Sequence, residues 1–513
     1  MEPVTKKGIP AWSLWAVGCV LVLFRIPYYF TGHVQEDAFI TFRCALNLAR
    51  TGIYGYNAGE KVSGSTTHLY VFWVALLDKI GGGFHLPLVL AINTAFLVVG
   101  LYLLSGLLAR DQGERLWLWV LITISPAALL ISYSGMETSL LVLTVGLALT
   151  GYQRPASFTS AAAVALLPWI RPDAVAFAGM IIVLFTIKQR RLAWPTIAAL
   201  GIGTASLIAF NFLYFGSVLN QTIIAKSIYY KVTNPLSLLR AFMIVFGIEH
   251  DVIGLYSPLR TKFLAPFSLF FLVGTLAGFA VFLFRSRSEP DRLLKGGWFV
   301  SAAILVPSAY AVGRVIFAWY LWPSELLGFM VVITLALDLT LATRKHVRRI
   351  ILFALIAAQL ALAAGQWAIS FNTGTQESRY RTDVGEYIKT IASPTDTMLL
   401  EPAGYIPFYA GVHTYDEVGL ATPAVVTALR QYGKKWWAPF LRQYRPTFLV
   451  VRHDVMDQSN PCGLSPEDWA WFDGHYRLIK IFRYRPEDFF HNPWALKILR
   501  LGSHCDYYLY RLR

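Results

Sequence analysis

The chain has 513 residues, of which 56% are hydrophobic and 15% charged, with a mean hydropathy of +0.50; that balance excludes a string of ordinary soluble domains and points to a polytopic membrane protein embedded in the lipid bilayer. A net charge of +15 would suit a nucleic-acid binder in a soluble protein, but here the basic residues fall in short gaps between apolar runs, where they report topology, and no nucleic-acid partner is expected. Cys19, Cys44, Cys462 and Cys505 show neither CxxC spacing nor a Cys/His cluster, which argues against structural zinc.

A helix needs about 20 apolar residues to cross a bilayer. Lys6 and Lys7 precede the first apolar run, 11–30, as in a signal peptide. That run ends in Tyr28, Tyr29 and Phe30 without a small-residue cleavage site, so it reads as a retained span. Further candidates follow at 86–108, 116–133, 137–152, 156–170, 173–187, 192–215, 263–284, 296–313, 315–339 and 350–370, which makes eleven. Those from 116 to 187 are short, so two of them could merge or be half-helices.

Placing the N-terminus inside puts Arg110 and Arg115, Arg154, the KQRR at 188–191, the RSRSEPDRLLK at 285–295 and the TRKHVRR at 343–349 on one side. The positive-inside rule makes that side cytoplasmic. The loop 31–85, the segment 216–262 and everything after 371 are then outside, as expected of a multi-pass protein of the bacterial inner membrane. Residues 1–370 form the transmembrane domain on this reading and 371–513 an extracytoplasmic one. In the latter, QESRYRTDVGEYIKTI has the spacing of an amphipathic helix, while TMLLEPAG and PTFLVVRHD read as short buried strands, giving a small α/β or α+β module.

The outer loop gathers acid, base and hydroxyl groups: Glu36, Asp37, Arg43, Lys61, Ser63, Ser65, Thr66, Thr67 and His68. Glu36 and Asp37 follow an apolar run by a few residues, where carboxylates are costly without a task or a partner. They are either a solvated loop start paired with Arg43, or a base at the membrane boundary. Glu137 in SGMET, Arg171 and Asp173 in IRPDA, and Arg314 within AVGRVIFAWYLWP also sit beside span ends. A guanidinium there needs an anion such as a lipid phosphate, although Arg171 has Asp173 and Glu137 as alternative partners. Asn220 and Lys226 lie in NFLYFGSVLNQTIIAKSIYYK, where the lysine either binds phosphate or snorkels to the interface.

The run EDAFITFRCALNLARTGIYGYNAGEKVSGSTTHLYVFW resembles the first outer loop of bacterial GT-C glycosyltransferases, especially the terminal arabinofuranosyltransferase type of mycobacterial cell-wall synthesis. SGMETSL, IRPDAV, YFGSVLNQTIIAKS and the DEVGL at 416–420 are similar too, in the same order; Glu36 departs from the usual Asp-Asp form, while Asp37 fits it. The resemblance implies a GT-C-like fold and transfer of a sugar from a polyprenyl-phosphate donor to a glycan or glycolipid acceptor outside the membrane. Asp37, with Glu36 beside it, would act as the base. Arg171, Lys226 and Arg314 would hold the phosphate, and Arg43, Thr66, His68, Glu137, Asp173 and Asn220 would line the substrate site. A divalent cation bridging Glu36 and Asp37 to the phosphate is chemically reasonable, but the sequence displays no complete ligand set.

A protein O-glycosyltransferase of the same superfamily would share donor and mechanism. A transporter would suit the many spans but not the crowding of polar residues on one face. Cys462 and Cys505 have no other cysteine in the outer module and are expected to form a disulfide in a compartment where such bonds persist. The topology has a direct check. A membrane-impermeant thiol reagent applied to intact cells should label a cysteine introduced at Ser459; labelling only after permeabilisation would reverse the orientation.

Overall fold

The computed structural model describes residues 11–154, 157–230, 237–245, 265–313, 315–341, 345–452, 464–485 and 506–513. Arg314, Cys462, Cys505 and much of the segment 216–262 lie outside the described residues. The chain divides into two compact units, one made of Met1–Tyr29, Leu86–Leu207 and Val232–Ser370, the other of Phe30–His85, Ile208–Lys231 and Phe371–Arg513.

The first unit is helical. Among the described residues, Leu86–Leu108, Trp194–Phe215, Pro290–Gly313 and Ala318–Thr340 are long and apolar enough to cross a membrane. Gln112–Thr123 and Pro126–Tyr133 make a fifth if the pair, bent by 63°, is one span. The bend follows from its sequence. Pro126 has no N–H to continue the first helix, and Ser125 restarts the second by accepting from the Ala128 amide at 3.3 Å. Thr138–Tyr152, Phe158–Ile170, Ala174–Gln189 and Leu272–Ser286 are shorter apolar helices. The described residues of the apolar runs expected to span are thus largely helical, and among the described residues four of these helices, or five with the bent pair, are long and apolar enough to cross by length and composition.

Arg25 breaks the first run between Ala11–Leu23 and Ile26–Thr31. It is buried and donates to the carbonyls of Ser132 (2.7 Å) and Leu90 (3.3 Å) and to the hydroxyls of Ser132 and Thr94. Farther along, Arg110 bridges Glu289 (2.8 Å) and Asp338 (2.5 Å), Arg292 reaches Asp338 (2.8 Å) and Glu114 (3.4 Å), and Asp291 pairs with Lys188 (2.5 Å) and Lys295 (2.7 Å). Basic residues from the gaps at 110–115 and 285–295 therefore share one charge network, and Lys188 and Lys295 share a second around Asp291.

The second unit is built on a sheet of β1 (Thr397–Leu400), β2 (His413–Asp416), β3 (Phe448–Arg452), β4 (Tyr476–Phe482) and β5 (Tyr507–Leu512) in the order β2-β1-β3-β5-β4. β1 runs parallel to β2 and β3, whereas β5 is antiparallel to β3 and β4. Alternation along the strands sorts two cores. Met398, Leu400, Phe448 and Val450 pack with Val384 and Ile388 of the helix Arg381–Ile391; Leu399, Leu449 and Val451 pack with Trp437, Phe440 and Phe472. This is the α/β module expected from the C-terminal sequence, and both strands read there are present.

Helix packing in the first unit depends on absent side chains, as is common in membranes. A Cβ on Gly100 would stand 2.8 Å from the Leu143 amide nitrogen, and one on Gly203 would stand 2.0 Å from the Ala165 carbonyl. Backbone cannot step aside as a flexible side chain can. Gly100→Leu should therefore cost about 1–3 kcal/mol or more through overpacking, seen as a lower melting temperature in detergent, whereas Gly297→Leu, where a Cβ meets nothing within 4 Å, should melt near wild type.

Candidate functional site

The helix Glu36–Thr51 opens the site. Its first turn holds both acids, where unpaired amides and the helix dipole favour negative charge. Glu36 is buried. Its Oε2 accepts from Arg381 Nη1 at 2.6 Å, and its Oε1 accepts from the amides of Gly404 (2.7 Å) and Tyr405 (2.9 Å). Burial pushes the Glu36 carboxyl up to about 7, against the pull of Arg381 and the Tyr405 amide. Gly404 is required by proximity, since a Cβ there would lie 2.4 Å from Glu36 Oε1. Around this point the chain is bolted down again: the Tyr405 hydroxyl donates to the Val34 carbonyl (2.7 Å) and accepts from the Val34 amide (2.9 Å), and His33 lies 3.3 Å from Glu377.

Consecutive helix residues point about 100° apart, so anchoring Glu36 turns Asp37 elsewhere. Asp37 Oδ2 lies 3.6 Å from Lys226 Nζ; the carboxylate side chain is 24% exposed and the lysine 14%, so a substrate can reach both. Lys226 stands in the last turn of the helix Gln221–Tyr229. That helix is held at its start, where the Gln221 amide donates to Ser63 Oγ (2.8 Å), Gln221 Nε2 to the Gly419 carbonyl (2.9 Å) and Asn211 Nδ2 to Asn220 Oδ1 (2.8 Å). Tyr230 follows, its hydroxyl raised well above the usual range by burial and by the nearby charges of Glu401, Asp37 and Asp416.

The other expected site residues separate by partner. Arg43 donates to the carbonyls of Tyr56 (2.8 Å), Pro407 (2.6 Å) and Val412 (2.7 Å) and to Asn57 Oδ1 (3.2 Å), so it stitches the segment 36–57 to residues 407–412. His68 is fully buried among Tyr54, Phe210 and Phe215, with the Tyr54 hydroxyl 2.8 Å from Nδ1, and burial pushes its pKa down to about 4, which keeps it neutral. Thr66 is half-buried in the turn before it. In the first unit, Arg171 is met by Asp173 (2.9 Å), Glu137 (3.5 Å) and the Tyr310 hydroxyl (3.1 Å). Among the described residues, no three His, Cys, Asp or Glu side chains gather as a metal site would require.

With this geometry in hand, known proteins can be set beside it. The chain is similar in fold to ArnT. The crystal structure of ArnT from Cupriavidus metallidurans bound to undecaprenyl phosphate matches with a TM-score of 0.55 at 12% identity, covering 91% of this chain and 96% of that one; the apo structure gives 0.56 at the same identity and coverage. The likeness is one of fold alone and does not reach the arabinofuranosyltransferase type. A family model described as Domain of unknown function (DUF8728) matches residues 367–508. No curated protein matches the sequence.

Sequence reasoning missed Arg381 and Gly404. A signal for the first existed: Arg381, Val384 and Ile388 share the buried face of an amphipathic helix, and an arginine in an apolar stripe asks for an anion. Arg381→Met should leave Glu36 buried without its cation and cost about 3–5 kcal/mol at pH 8. The Glu36 carboxyl is then raised further in the folded state, so its burden on folding is full above that folded pKa and vanishes below the unfolded value of 4.5. The melting deficit of the variant should accordingly narrow from pH 8 to pH 5; a deficit independent of pH would show that Glu36 is not the group left behind.

Proposed function

We propose that the chain is a glycosyltransferase that moves a sugar from a polyprenyl-phosphate donor to a cell-envelope glycan or lipid on the outer face of the bacterial inner membrane. The observation that carries the reading is Asp37, accessible in the first turn of its helix with Lys226 at 3.6 Å. The fold shared with ArnT, a protein crystallised with undecaprenyl phosphate, supports a lipid phosphate as donor. The outer-loop motif supports a cell-wall acceptor.

In this mechanism the acceptor hydroxyl attacks the anomeric carbon from the face opposite the phosphate. Its proton passes to Asp37 as the new C–O bond forms. The bond to the phosphate breaks at the same time, its electron pair leaving on the phosphate oxygen, and one displacement inverts the anomeric centre. Lys226 meets the phosphate charge. Arg314 is proposed to join it, while Arg171 would have to exchange a carboxylate partner to do so. Glu36, with both oxygens engaged, orients the helix that presents Asp37.

Purified Asp37→Asn should retain its fold and bound lipid while transfer falls roughly 10²–10⁴-fold. Native mass spectrometry of Lys226→Met should show loss of co-purified polyprenyl phosphate. Wild-type transfer by Asp37→Asn would remove Asp37 from the mechanism.

A further inference from the structure

The carboxyl ends of the parallel strands hold a second polar cluster, and the DEVGL segment builds it. Leu400 of β1 is in register with Asp416 of β2, so the following residues, Glu401 and Glu417, stand side by side, and the Glu417 amide donates to the Leu400 carbonyl at 3.1 Å. β3, on the other side of β1, ends in Arg452, whose Nη1 lies 3.2 Å from Glu401 Oε2. Glu417 Oε1 accepts from Trp437 Nε1 at 3.3 Å. Asp416 plays a different part. It is buried and accepts from the amides of Leu420 (2.6 Å) and Ala421 (2.8 Å) and from the Thr422 hydroxyl (2.9 Å), which folds the segment and leaves Glu417 next to Glu401.

The cluster mixes acceptors and donors: two carboxylates, a guanidinium, an indole N–H and the Tyr230 phenol, which lies in electrostatic reach of both Glu401 and Asp37. Burial, and then the neighbouring Glu401, push the Glu417 carboxyl up to about 7, a cost of setting two acids on neighbouring strands that the Arg452 fork on Glu401 offsets only in part. Glu401 and Arg452 remain 26% and 40% exposed, open to a ligand. The crevice outside the carboxyl ends of parallel strands is also where α/β sheets bind ligands. Adjacent carboxylates accept paired O–H groups, and a guanidinium fork donates to ring and hydroxyl oxygens.

We propose that Glu401, Glu417 and Arg452 form a polyol subsite that orients the hydroxyls of a sugar ring in the same compact unit as Asp37. The sugar belongs either to the acceptor or to the donor. This assignment deepens the transferase reading and rests on it for the role of Asp37, but the binding it asserts can be measured without turnover.

The experiment uses the full chain in lipid nanodiscs and saturation-transfer NMR with a panel of methyl pentosides and hexosides. Wild type should bind at least one, and Glu401→Gln and Glu417→Gln should each weaken that glycoside at least tenfold while melting near wild type. Glu417→Asp, which keeps the charge but withdraws it by a methylene, should fall between. Asp37→Asn should bind the glycoside as wild type does even if it abolishes transfer, so the subsite and the base stand or fall separately. Displacement by undecaprenyl phosphate carrying the bound sugar, but not by undecaprenyl phosphate alone, marks the ring as the donor's; displacement by neither marks it as the acceptor's. Absence of binding across the panel, or equal binding by Glu401→Gln, Glu417→Gln and wild type, overturns the subsite.

Discussion

A carboxylate withdrawn from water must find a cation and enough donors to replace its hydration, and Glu36 finds all of them in the C-terminal module: Arg381 on one oxygen, the Gly404 and Tyr405 amides on the other. The rest of the candidate site follows from that demand. With Glu36 fixed, its neighbour is aimed by helix geometry alone, and Asp37 comes to rest beside Lys226. The lysine is aimed in turn by the Ser63 hydroxyl and the Gly419 carbonyl at the start of its own helix. Three distant stretches of chain thus converge through polar contacts in which most partners are backbone groups, whose positions the sheet and helices already determine.

Two kinds of buried or half-buried arginine serve different ends in this molecule. Arg25 and Arg43 make hydrogen bonds to neutral carbonyls, hydroxyls and an amide oxygen and act as struts. Arg171 and Arg381 meet carboxylates and form compensated ion pairs. The distinction matters for chemistry, because a guanidinium with its forks already engaged must release a partner before it can hold a phosphate. Lys226 lies 3.6 Å from the Asp37 carboxylate, at the long end of ion-pair range.

Much of this was legible from residues alone. The apolar runs, the strands TMLL and FLVVR, and the prominence of Glu36 and Asp37 needed only periodicity and the cost of charge near a bilayer. What escaped was pairing at long range. Nothing local to Glu36 announces Arg381, 345 positions away, and nothing in EPAG says that its glycine leaves room for a carboxylate. His68 shows the same limit: serines and threonines surround it in the sequence, while the aromatic rings that enclose it are supplied by Tyr54, Phe210 and Phe215. Hydropathy likewise registers an apolar segment without registering whether its helix runs on, breaks at Arg25 or turns by 63° at Pro126.

The sequence distance between Glu36 and Arg381 also sets a schedule for biogenesis. At roughly 5–20 residues per second, the ribosome needs roughly 20–70 s after Glu36 to deliver its cation. Throughout that interval the segment that carries Glu36 lacks the partners that give it a buried place. A chain interrupted before residue 381 would carry its apolar helices intact yet present an acid with nothing to neutralise it, a mark by which a quality-control protease could tell an unfinished product from a complete one.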